Sequence, residues 1–199
     1  MKERPIIFSD EMVRAILEGR KTQTRRVIKA PVLQNHPEYR WKFYKNTLAN
    51  WRFDTDDYPN VCGGFKIKCP YGQPGDRLWV RETIKRNINQ QGEFDNLSFY
   101  DADETMTVAD VWPWKRDVLP SIYCPRGLSR INLLIKDIRV ERVQDITEED
   151  AEREGIDPEG YIPTIQFKKL WNSINEKRGY PWESNPWVWV VEFEVEYEK

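Results

Sequence analysis

Gly19-Arg20-Lys21-Thr22-Gln23-Thr24-Arg25-Arg26 is the stretch on which the reading of this chain turns. Immediately before it, Ser9 fits a helix N-cap, Asp10 and Glu11 place negative charge at the positive end of the helix dipole, and Met12, Val13, Ile16 and Leu17 recur on one helical face. Gly19 follows the last periodic residue and supplies the left-handed position that ends a helix, so the chain turns and presents Lys21 and Thr24 on the exit. Lys21, Arg25 and Arg26 then crowd together with the hydroxyls of Thr22 and Thr24. On composition alone the stretch reads as a solvated basic turn.

Outward from it, 199 residues at 39% hydrophobic and 32% charged are enough to bury one core and too few for two full domains. No apolar run approaches the roughly 18 residues of a membrane span, and Met1-Lys2-Glu3-Arg4-Pro5 has no apolar segment behind it, so a cytoplasmic protein is expected. A net charge of −2 gives no global pull toward phosphate, so nucleic-acid binding needs local segregation of charge. Arg14, Arg20, Lys21, Arg25, Arg26 and Lys29 against Glu18 provide some of it. Cys62, Cys69 and Cys124 lack metal or disulfide spacing and read as free thiols. The sole histidine, His36, sits between turn formers and reads as a loop residue, so serine or cysteine triads have nothing else to draw on. Catalysis here has to use Lys, Thr, Glu, Asp, Arg or Tyr, with no cofactor and no metal.

Along the chain, Pro5 to Phe8 reads as a short edge strand. Residues from about 30 to 73 and from 84 to 120 lack periodicity but carry many aromatics, and read as two irregular, ordered insertions expected to wall a cleft. Between them, Pro74-Gly75-Asp76 is a turn into a strand through Leu78 and Val80. Two readings stay open there: Trp79, Arg81 or Glu82 lines a pocket, or Trp79 is core and Arg81 pairs with Glu82 or another acid. Ile131 to Val140 alternates as a strand with a bulge near Asp137. Thr147 caps a short helix ended by Gly155, with Asp150 as its capping-box partner and Ile146 stapled on Ala151. Phe167, Leu170, Trp171 and Ile174 form a helical stripe, and Trp187 to Tyr197 alternates as a half-buried strand. Asp101-Ala102-Asp103-Glu104 lacks the spacing and glycine of a calcium loop.

Gly19, Lys21 and Arg26 resemble the G-x-K-x-x-x-x-R core of the ASCH domain, a PUA-like β-barrel associated with RNA. That core usually carries Glu where this chain has Thr24, and the departure resembles the ASCH subgroup that hydrolyses N4-acetylcytidine with a Lys, a Thr and a downstream Glu. In that subgroup the Glu ends a T-E-x-x-A-E-x-E segment, which here places it at Glu154. The G-D-x-L turn at Gly75 and the C-terminal strand pattern are similar to larger phage and prophage ASCH proteins. The resemblance implies an α+β fold, one PUA-like mixed β-barrel over residues 1–199 with short flanking helices and the two insertions.

It also implies a catalytic set of Lys21, Thr24 and Glu154 and a substrate-binding set of Arg26, Arg25, Trp79, Arg81 and Glu82. Thr24 would supply the attacking hydroxyl, Lys21 the base if burial lowers its pKa, and Glu154 the proton shuttle. The partner would be a modified nucleoside, or single-stranded RNA offering a flipped base. Two other readings use the same pocket: an ASCH module that binds RNA or a modified base without chemistry, and an ASCH-type ribonuclease.

Overall fold

The long antiparallel strand pair at the centre of the protein is built from the two most continuous apolar-rich runs of the sequence, Asn132–Arg142 and Trp187–Glu196. The structure is a computed structural model that describes residues 1–30, 32–33, 41–45, 50–55, 65–88, 91–108, 112, 114–159 and 162–196. His36 and Cys62 lie outside the described residues. In chain order the first elements are β1 (Glu3–Ile7), α1 (Asp10–Leu17) and β2 (Gln23–Val27), then β3 (Trp41–Lys45), β4 (Asn50–Thr55) and β5 (Phe65–Lys68). β6 (Arg77–Arg81), β7 (Ile84–Ile88), β8 (Phe94–Tyr100), β9 (Met106–Val108) and β10 (Val118–Leu119) follow. The chain ends with β11 (Asn132–Arg142), α2 (Glu148–Arg153), α3 (Pro163–Asn175) and β12 (Trp187–Glu196).

The main sheet has the order β1-β6-β11-β12-β2, with β1 parallel to β6 and the other neighbours antiparallel. The register slips between Ile135 and Asp137, which is the bulge expected there. One face of the sheet buries Val80, Leu133, Ile138, Trp189 and Phe193 against Phe8 and against Val13 and Ile16 of α1. The other face puts Val188 and Val190 against Ile146, Ala151, Phe167 and Trp171 of the α2 and α3 layer. β12 is therefore buried on both faces from Val188 to Val191 rather than half-buried, because α3 covers the side that alternation left to solvent.

The fold is mixed α+β, and among the described residues no ladder closes the sheet into a complete barrel. β1 and β2 are its edges, joined by α1, and the gap is spanned by a side chain: Arg26 Nη2 of β2 donates to the Ile7 carbonyl at 3.0 Å. Both stretches read as irregular carry strands. β3-β4-β5 is a meander whose Trp41 and Trp51 join the main core, Trp51 meeting Trp189 edge-on at 6.0 Å. β10-β7-β8-β9 forms a separate sheet over Ile84, Tyr100, Leu119 and Cys124. Leu17 does not reach the core; it is 39% exposed at the end of α1. Cys69 and Cys124 are buried free thiols, and burial pushes Cys69 up to about 11. No helix among the described residues is long and apolar enough to cross a membrane.

Candidate functional site

Lys21 is positioned by backbone bonds on three sides. After Ser9 caps α1, Gly19 takes φ +76° and the chain folds back so that Lys21 N donates to Ala15 O at 2.9 Å. Thr22 N donates to Arg153 O at 2.9 Å, and Phe193 N donates to Thr22 O at 2.8 Å, which docks the loop on the end of α2 and on β12. Lys21 is 1% exposed; its Nζ donates to Glu154 O at 2.6 Å and to Glu154 Oε2 at 3.0 Å, with the Phe8 ring centroid 5.5 Å away.

Glu154 is the C-cap of α2, a helix whose start is fixed by Thr147 accepting from Asp150 N. Gly155 then leaves at φ +94°, and a Cβ there would meet Ala15 Cβ at 3.0 Å and Lys21 Cβ at 3.2 Å. Both the dihedral and the close approach exclude a side chain. Gly155→Ala is therefore expected to lower stability by about 2 kcal/mol or more and to push Glu154 away from Lys21. Gly19→Ala, equally left-handed but with nothing within 4 Å of its Cβ, should cost only about 1 kcal/mol. Denaturant midpoints of the two variants check the difference.

Strand alternation sends Gln23 and Arg25 to the α2 side of β2, and Thr24 and Arg26 to the Phe8 side. Arg25 is fully buried at its side chain and reaches three acids: Glu154 Oε1 at 3.2 Å, Asp150 Oδ2 at 2.7 Å and Glu141 Oε2 at 3.1 Å. Asp150 does not act as a capping-box partner, because its carboxylate is taken up by Arg25, Gln23 and Arg139. Burial pushes Asp150 up, but those donors outweigh it and hold the carboxyl below the usual range. Arg26 donates to the Arg25 and Ile7 carbonyls and lies 5.2 Å from the Phe8 centroid. Thr24 is 0% exposed, and its Oγ1 has no hydrogen-bond partner among the described residues.

Between the two sheet edges and α3 opens a cleft of about 970 Å³. Glu154, Arg25 and Arg26 line it with Phe8, Tyr71 and the α3 side chains Phe167 and Trp171. A second hollow of about 430 Å³ shares Met12, Glu154 and Leu170 with it, so the Glu154 carboxylate is a partition between the two. Lys21 and Thr24 line neither; they lie behind Glu154 and within β2. The wall comes from α3, whose stripe faces the cleft, and the first insertion contributes only Tyr71 among the described lining residues.

Trp79, Arg81 and Glu82 are not brought to this cleft. Trp79 is buried between Arg81, at 4.9 Å, and Arg126, at 5.9 Å. Arg81 Nη1 donates to Ile122 O, and Glu82, 1% exposed, is paired with Arg130 at 2.8 Å. Desolvation raises the Glu82 carboxyl pKa even against that arginine. The open alternative thus resolves toward packing, with Arg130 rather than Arg81 as the acid's partner. Asp103 also pairs with Arg130, and Asp101 with Lys85. Sequence reasoning missed Asp150 and Glu141 as partners of Arg25 and Phe8 as the ring over Lys21. The only available signal was that Phe8 immediately precedes the Ser9 cap.

The chemistry of the cluster follows from its dryness. Burial lowers the Lys21 pKa from the ordinary lysine value; Glu154 opposes this, and Arg26 and Arg25 add to it. An amine in this setting gives up its proton more readily than a surface lysine, and a carboxylate lies in direct contact with it.

Fold and site together define an α+β protein with an open mixed sheet and a buried lysine-glutamate-arginine cluster on the floor of a cleft between the sheet edges. No family profile and no curated protein matches the chain. A solved structure, an ASCH domain from Lactobacillus crispatus JV V101, is similar over 99% of this chain and 81% of that chain, at 11% identity and a TM-score of 0.44. That likeness carries nothing about individual residues.

Proposed function

We propose that this chain is a single-domain ASCH-type amidohydrolase that converts an N4-acylated cytidine, N4-acetylcytidine in the simplest case, to cytidine and the carboxylate. The observation that carries this is the buried Lys21–Glu154 pair, two groups 133 residues apart in sequence that the resemblance assigned to one catalytic set. The cleft in front of it sets the rings of Phe8, Phe167 and Trp171 and the side chain of Leu170 beside the charged groups of Glu154, Arg25 and Arg26, which suits a planar base with polar edges. Thr24 Oγ1 attacks the acyl carbon as the Lys21 amine takes its proton, the Glu154 carboxylate relays that proton from the Lys21 ammonium to N4 as the C–N bond breaks, and water then hydrolyses the acyl-threonine to the carboxylic acid and restores the hydroxyl. Thr24 is sealed from the cleft in this state, so attack follows a rearrangement of the floor on substrate binding.

The test is cytidine release from N4-acetylcytidine by wild type and by Lys21→Ala, Thr24→Ala and Glu154→Ala, with only wild type expected to turn over. Lack of release by folded wild type would leave a base-binding module without chemistry. The pH dependence has a definite sign. Because the Lys21 pKa is lowered, the free amine grows in as pH rises through a value below the ordinary lysine range, and turnover should rise on that limb. Lys21→Arg should be inactive at every pH on that limb, since guanidinium keeps its proton. By the same linkage, burying charged Lys21 costs most below its folded pKa. That cost is relieved as pH climbs from the folded toward the unfolded pKa, because the unfolded chain then binds more protons than the folded one.

A further inference from the structure

We infer that the cleft takes its nucleoside in phosphorylated form, with Arg26, Lys29 and Arg178 as a phosphate subsite. This rests on the proposed function for the base end of the cleft and adds the chemistry of the other end. All three side chains line the 970 Å³ cleft, and they come from separate elements. Arg26 is on β2, Lys29 just beyond it, and Arg178 ends the 3₁₀ turn Glu176–Arg178 after α3.

Among the described residues many arginines are neutralised, while Arg14, Arg81 and Arg142 are bonded to backbone carbonyls. Arg4, Arg20, Arg25, Arg77, Arg126, Arg130, Arg139 and Arg153 each have a carboxylate partner. The cleft trio has none among the described residues. Arg26 is half-buried, bonded to the Arg25 and Ile7 carbonyls and to the Tyr71 side chain, and set against the Phe8 ring; the Glu154 charge attracts it and the Arg178 charge repels it across the cleft. Glu154, the acid of the cleft floor, is already held by Lys21 and Arg25. The C-terminal dipole of α3 accounts for a cation at position 178, but not for Arg26 and Lys29 facing the same space.

Half-buried Arg26 with Lys29 and Arg178 exposed at the cleft's rim makes a local positive patch on a protein of net charge −2, and such a patch draws an anion. Guanidinium groups offer paired donors to phosphate oxygens, and Lys29 adds a mobile point charge. The side chains of Asn175 and Tyr180 line the same cleft and supply neutral polar groups for a sugar between phosphate and base.

The experiment compares kcat/KM for N4-acetylcytidine, its 5′-monophosphate and a short oligoribonucleotide containing N4-acetylcytidine, in wild type, Lys29→Ala and Arg178→Ala. Wild type should prefer the phosphorylated substrates roughly tenfold or more, with the preference shrinking as salt is raised. In each variant the ratio of phosphorylated to unphosphorylated kcat/KM should fall toward one. Lys136→Ala, which removes a cation paired with Glu194 elsewhere, should leave the ratio unchanged. A higher value for the monophosphate than for the oligomer assigns a free nucleotide; the reverse assigns a polymer. Equal values for nucleoside and monophosphate in wild type, or a ratio indifferent to both substitutions, overturn the subsite. If no acetylated compound is turned over, the amidohydrolase reading fails by itself. Calorimetric affinities for cytidine and cytidine 5′-monophosphate in the same three proteins then decide the phosphate site.

Discussion

Thr24→Val is expected to abolish release of cytidine from N4-acetylcytidine while leaving the protein as stable as wild type, or about 1 kcal/mol more stable. Activity and stability are predicted to part because of one atom. Thr24 Oγ1 is buried without a hydrogen-bond partner among the described residues, and a hydroxyl left in that condition costs about 1–3 kcal/mol. Valine keeps the β-branched shape that β2 favours and removes the unsatisfied oxygen. Under the proposed function, the hydroxyl that lowers stability where it stands is the one that attacks the acyl carbon. Thermal melts and turnover on the same preparation make the comparison. Undiminished hydrolysis by Thr24→Val would remove the threonine nucleophile, and a loss of several kcal/mol would mean that the hydroxyl has a structural partner.

Local signals were legible where neighbours in sequence determine the outcome. Ser9, Thr147, Gly19 and Gly155 mark helix ends by rules that act within four residues, and the structure has caps and left-handed glycines at those positions. Convergence of Lys21 with Glu154 came from resemblance; no periodicity connects them. What the sequence could not display was which surface meets which. β12 looked half-exposed because alternation records one buried face, whereas α3 arrives from upstream in the chain to cover the other. The meander of β3 to β5 was hidden for a similar reason: its aromatic side chains Trp41 and Trp51 insert into the main core singly, so no run of apolar residues announces a strand. Trp79, Arg81 and Glu82 have the residue types of a binding surface, and only the placement of Arg126 and Arg130 shows that these partners occupy them.

Arg25→Met should be the most destabilising substitution in the site, by about 3–5 kcal/mol, because it strands acids that were buried against a cation. Among the described residues Arg139 would be the cation left to Asp150 and Glu141, with Gln23 still donating to Asp150, and Lys21 the cation left to pair with Glu154. Arg25→Lys should recover little, since one ammonium cannot span acids that the guanidinium reaches with two nitrogens, Nη1 to Glu154 and Nη2 to Asp150 and Glu141. Lowering the pH identifies the cause. In wild type the lowered Asp150 pKa contributes stability that is complete above the unfolded carboxylate pKa and is lost as pH falls through the folded one. Arg25→Met removes the leading donor behind that lowering, so the variant has less to lose on acidification. The stability gap between the two proteins, measured by urea unfolding at neutral pH and again in the range where carboxylates titrate, should therefore narrow at the lower pH. A gap of equal size at both would assign Arg25 a packing role against Phe167, whose ring centroid lies 6.0 Å from its guanidinium carbon, and would detach it from the electrostatics of Glu154.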